Sequence, residues 1–176
     1  MLLAKRKRRE NIAEYILYIW QLEDLMRALA LNPDKIYSAL VAPHEADDNK
    51  KQEIFFWYIS IVNLLKEERK EQAGHNCHTL QLIGELNILH ASLLQTDSKY
   101  AALHKAAVND LEDFRNRNGN HRAGDVETSF DALYMKLLLN MKHQDLSQET
   151  NQAFQRIGAM VAYLAAKFRQ AEEAAS

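Results

Sequence analysis

Apolar residues recur along this chain at helical spacing. Ile12, Ile19 and Met26 repeat every seven positions, with Tyr15, Leu22 and Leu29 three residues after each. One face of a helix running from about residue 3 to Leu31 is therefore core. Asn32 offers a cap and Pro33 a first-turn residue for a short helix through Ile36, Tyr37 and Leu40, which Pro43 ends. After a polar loop over 44–49, Asp47 or Asp48 caps a helix with Ile54, Tyr58, Ile61 and Leu65 on one side, broadened by Phe55 and Val62. The run 54–62 alone would also suit a buried strand, but its charged flanks, 50–53 and 66–71, favour a helix that Gly74 terminates.

Leu82, Leu86, Leu89 and Leu93, spaced 4, 3 and 4 apart, predict a helix over 77–95. Gly84 inside it costs about 1 kcal/mol relative to Ala and suggests close approach of a neighbour. A turn and cap at Thr96-Asp97-Ser98 leads to a helix placing Tyr100, Leu103, Ala107, Leu111 and Phe114 inward. Segment 116–124, with two Gly and three Asn, reads as a loop. From Asp125, Val126, Phe130, Leu133, Leu137 and Met141 share a face. Ser147 caps the segment carrying Phe154, Ile157, Val161, Leu164 and Phe168, where Gly158, Ala162, Ala165 and Ala166 would let another backbone approach. The expectation is all-α: one domain over 1–176, an up-and-down bundle of five long helices plus one short helix. Residues 1–9 form a basic arm that is free to fray, and 171–176 a fraying tail.

Composition narrows this picture. A length of 176 residues suffices for a substantial core, and five Gly with two Pro are too few for the turns of an all-β fold. A net charge of −2 gives no global attraction to nucleic acid, and the run Lys5 to Arg9 has no interleaved aromatic residue, so it reads as solvated. That run precedes an apolar stretch as in a secretory signal. Glu14, Gln21, Glu23, Asp24 and Arg27 interrupt the resemblance, and no stretch nears the roughly 20 apolar residues of a membrane span. With Cys77 the single cysteine, the expectation is a cytoplasmic protein away from membranes.

The first helix carries a second face. Leu17, Tyr18, Trp20 and Leu25 surround the line Glu14–Gln21, with Asp24 beside it. This surplus is either covered within the bundle or offered to another chain, a dimer being favoured. If it is buried, Glu14 and Gln21 need hydrogen-bond partners, Tyr18 being the natural one for Glu14.

Glu10-Asn11-Ile12-Ala13-Glu14-Tyr15, Tyr18, Trp20-Gln21 and Glu23-Asp24 resemble the opening of a bacterial family known as domain of unknown function 4924. Gly74-His75, Leu86, Leu89-His90, and Phe130-Asp131-Ala132-Leu133-Tyr134 with Leu137-Leu138-Leu139 are similar too, in the same order. The resemblance covers nearly the whole chain and implies a compact helical protein with no assigned activity, substrate or cofactor.

Candidate chemistry is sparse. His75-Asn76-Cys77-His78 gathers three soft-metal ligands without paired zinc-site spacing, so no metal or cofactor is expected. Arg115-Asn116, four residues and His121 resemble the motif of the helical-bundle ribonucleases of the HEPN superfamily. The resemblance implies that Arg115 stabilises phosphate charge while His121 acts as general acid or base in metal-independent RNA cleavage. The favoured expectation is instead a noncatalytic helical-bundle interaction protein that self-associates or binds a protein partner. A small-ligand-binding bundle using Tyr18, Gln21 or His90 is the third reading.

Overall fold

Side-chain caps set most of the helix starts in a computed structural model of the chain, which describes residues 2–175, the Leu2 side chain excepted. The helices are α1 (Leu2–Glu10), α2 (Ile12–Ala28), α3 (Pro33–Ile36), α4 (Asp48–Glu67), α5 (Cys77–Thr96), α6 (Ser98–Asn118), α7 (Asp125–Met141) and α8 (Gln148–Ala175). A π turn, Tyr37–Val41, continues α3. Asn11, Asn32, Asp47, Asn76 and Asp97 each accept a backbone N–H at the helix they open, satisfying donors that have no partner within the helix.

The fold is all-α, and no strand occurs among the described residues. Six of the described helices have 17 residues or more, so the expected count of five long helices is one too few. The first expected helix also divides. Asn11 lies at φ −157°, ψ 105°, and its Oδ1 accepts from the N–H groups of Ala13 and Glu14, which starts α2 afresh.

Two apolar clusters organise the packing. In the larger, α8 lies against α2, α5, α6 and α7, burying Ile16, Trp20, Leu86, Tyr100, Leu111, Phe130, Ile157, Met160 and Leu164. In the smaller, Ile19, Leu22 and Met26 of α2 meet Ile36 of α3 and Ile61, Val62 and Leu65 of α4. Helix α2 serves both, which explains its two apolar faces.

Several expectations change. Helix α4 ends at Glu67, where Arg69 takes the left-handed conformation (φ 56°) and the Lys70 N–H bonds the Leu65 carbonyl. Gly74 lies beyond, in the connection to α5. Gly84 is exposed on α5, and a Cβ there would meet nothing within 4 Å, so no neighbour approaches it. Helix α6 runs to Asn118, shortening the loop, and Gly119 ends it at φ 69°. The basic arm is helical: Lys7 pairs with Glu14 at 2.6 Å, and Arg8 forms two hydrogen bonds to Glu172 at 2.9 and 2.7 Å. That tie also holds the expected tail in helix to Ala175; Met1 and Ser176 lie outside the described residues.

Candidate functional site

The Asp97 cap opens α6 so that Tyr100, three residues on, points into the core with no exposed surface. Its hydroxyl lies 2.7 Å from Nδ1 of His90 on α5. One turn further along α6, His104 places Nε2 2.6 Å from Oδ2 of Asp125, the first residue of α7. Arg115, near the end of α6, pairs with the other oxygen of the same carboxylate. The rings of His90 and His104 are 5.2 Å apart, and one ligand atom from each of His90, His104 and Asp125 falls within 4.8 Å of the others.

Burial, and then the neighbouring His104, lower the pKa of His90 and favour its neutral form. Burial raises the Tyr100 pKa, the Asp125 carboxylate adding to it, so this phenol keeps its proton. Among the described residues, the buried side-chain polar atoms without a hydrogen-bond partner are Arg115 Nε and Thr128 Oγ1. Arg115 binds Asp125, and Thr128 follows Asp125 by three residues on α7.

A second polar cluster joins α2, α7 and the start of α5. Glu23 is fully buried, yet its carboxylate accepts from the Asn76 backbone N–H at 3.0 Å and from Asn76 Nδ2 at 2.5 Å, and lies 2.8 Å from His75 Nδ1. Such donors satisfy a charge that burial would otherwise penalise. The His75 ring stacks on Trp20, centroids 3.7 Å apart and planes within 6°. Trp20 Nε1 donates to Thr79 Oγ1 at 3.2 Å. Tyr134 donates to Asp24 at 2.6 Å, and Arg27 bridges Asp24 at 2.7 Å to the carbonyls of Lys70 and Gly74. Asp131 is half-buried, and desolvation followed by the charge of Glu127 pushes its pKa up to about 6, against a smaller opposing effect of His75.

A family model described as domain of unknown function (DUF4924) matches residues 1–175. The chain belongs to this family. Neither the curated proteins nor the solved structures include a match. In this DUF4924 chain three of the segments that carry the family resemblance meet around the second cluster, through Trp20, Glu23 and Asp24, then His75, then Asp131 and Tyr134, while His90 lies in the first.

The remaining sequence candidates scatter. Trp20 is 1% exposed and so covered within the chain, while Leu17 is half-buried against the larger core. Tyr18 packs on the smaller cluster, Gln21 donates towards Met141 Sδ at 3.8 Å, and Leu25 is exposed. Glu14 is exposed and takes Lys7 rather than Tyr18 as its partner. Arg115 turns to Asp125, while His121 stands exposed on the α6–α7 loop. His75 and the exposed Cys77 and His78 go separate ways: His75 to Glu23, the Cys77 N–H to Glu68, and His78 edge-on to Tyr15. His104 and Asp125 escaped the sequence reading because they lie 21 residues apart on different helices. Their only local signal was an inward-facing position one turn after Tyr100 and a helix-opening acid.

Proposed function

We propose that the protein is a noncatalytic helical-bundle interaction protein that self-associates as a dimer through the first half of α4. One observation carries this reading. Residues 54–59 are six consecutive apolar or aromatic side chains, Ile-Phe-Phe-Trp-Tyr-Ile; Phe55, Trp57, Tyr58 and Ile59 pack on the smaller cluster, yet none of the six is fully buried. A helix apolar on all sides normally lies inside a core. Here only Ile61, Val62 and Leu65, further along, reach that depth. Phe56 is 60% exposed, and Tyr37 stands edge-on to Phe55 beside it. A cavity of about 260 Å³, walled by Tyr18, Trp57, Tyr58 and Leu3, opens on the same helix.

The surplus surface thus belongs to α4 rather than α2. A second copy suits it: two antiparallel copies of α4 crossing near Phe56 set residues 54–59 of each chain against the same residues of the other, the self-complementarity a two-fold interface requires. The Lys50–Glu53 pair, 2.6 Å apart within one chain, stands at the edge of the patch. The cytoplasm suits the single exposed thiol of Cys77, and no helix among the described residues is long and apolar enough to cross a membrane.

Sedimentation of the full chain at micromolar concentration tests the reading. The expected mass is two chains, falling to one in Phe56→Lys with the helical signal and melting temperature retained. A one-chain mass for the unaltered protein overturns it.

A further inference from the structure

We propose that His90, His104 and Asp125 form a binding site for a first-row divalent transition metal ion, with zinc as its simplest occupant. The three side chains come from three different helices, α5, α6 and α7, and the mutual 4.8 Å limit on their ligand atoms brings them near a common centre. Bonds of about 2.0–2.2 Å at tetrahedral angles set donor atoms roughly 3.3–3.5 Å apart, so closure on an ion needs only small side-chain movements.

The surroundings fit such a role. His90 Nδ1 lies 2.7 Å from the Tyr100 oxygen; metal binding at Nε2 requires the tautomer in which Nδ1–H donates to that oxygen, the arrangement that orients metal-bound imidazoles. The 2.6 Å contact between His104 Nε2 and Asp125 Oδ2 contains one shared proton. A metal ion replaces that proton between the same two atoms, and the proton leaves to solvent. Arg115 holds the other oxygen of Asp125, leaving Oδ2 to point at the imidazoles. The guanidinium charge opposes a cation, so affinity depends on all three ligands acting together.

The side chains of His104 and Asp125 are 18% and 23% exposed, which gives an ion access from solvent. Two imidazole nitrogens and one carboxylate oxygen favour zinc, iron, cobalt or nickel over calcium or magnesium, which prefer oxygen ligands. Three protein ligands leave a coordination position for water. A bare tie between α6 and α7 would need only His104, Asp125 and Arg115, whereas His90 and Tyr100 add an oriented imidazole to it.

The test uses the full chain stripped with a chelator, then titrated with Zn²⁺ by calorimetry and with Co²⁺ by visible absorption. The expected result is one ion per chain, with cobalt ligand-field bands. His104→Ala and Asp125→Asn should each weaken binding roughly tenfold or more, Tyr100→Phe should weaken it less, and His121→Ala should leave it unchanged. If His104→Ala loses its helical signal, the isosteric Asp125→Asn decides. Absence of saturable binding, binding unchanged in Asp125→Asn, or binding lost in His121→Ala overturns the site. None of these outcomes depends on the oligomeric state.

Discussion

Asp131 shows how a single carboxyl reports its surroundings. Its pKa of about 6 in the fold stands above the ordinary value of 3.8, because desolvation and Glu127 disfavour the charged form. The protonated form suits the fold, so the contribution to stability is complete below about pH 3.8 and is lost as pH rises through about 6. Asp131→Asn is therefore expected to stabilise the protein at pH 8, by about 1–2 kcal/mol after allowance for partial exposure, and to change little at pH 4. Thermal melts of the two proteins at both pH values check the sign. Glu23, fully buried, instead accepts hydrogen bonds from Asn76 and lies against His75. Neither outcome was legible along the chain, because Asp131 and His75 are 56 residues apart and only packing makes them neighbours.

Among the helices, those with one apolar stripe followed their pattern closely. The caps at Asn32, Asp47 and Asp97 and the start of α7 at Asp125 fall where the local chemistry predicts, since a cap needs only the next three residues. Gly84 did not follow. It looked like a contact position, yet it faces open space on α5, so it carries only the conformational cost of glycine in a helix. Gly84→Ala is expected to stabilise the protein by about 1 kcal/mol, readable as a shift in the chemical-denaturation midpoint at unchanged slope. The end of α4 was misplaced for a related reason. Arg69 adopts a left-handed conformation that glycine usually marks, while Gly74, the residue with the expected signature, lies in the following connection.

For the molecule as a whole, α2 passes between two apolar clusters, and this decides what its second face does. Leu17→Lys with Trp20→Lys, which would part an interface if that face were one, is expected to unfold the chain. Trp20 is fully enclosed, and truncation of such a residue alone costs about 3–5 kcal/mol. Loss of the helical circular dichroism signal in the double variant, against its retention in Phe56→Lys, separates the internal face of α2 from the external face of α4.

Helix spacing, caps, the scarcity of Gly and Pro, and the family resemblance were all present in the residue order, because each depends on near neighbours or on composition. An all-α chain with breaks near residues 31, 47, 76, 97, 124 and 147 follows from them. What required the tertiary structure was every statement about who faces whom. Periodicity marks an apolar face without saying whether its cover is the same chain, and only packing shows that Trp20 of α2 is enclosed while residues 54–59 of α4 are at most partly covered, with Phe56 exposed. In the same way, His90 and Arg115 are candidates for unrelated roles in the sequence, and His104 and Asp125 carry no chemical signal there. The four become one site only because α5, α6 and α7 pack side by side and a polar group's chemistry is set by the few ångströms around it.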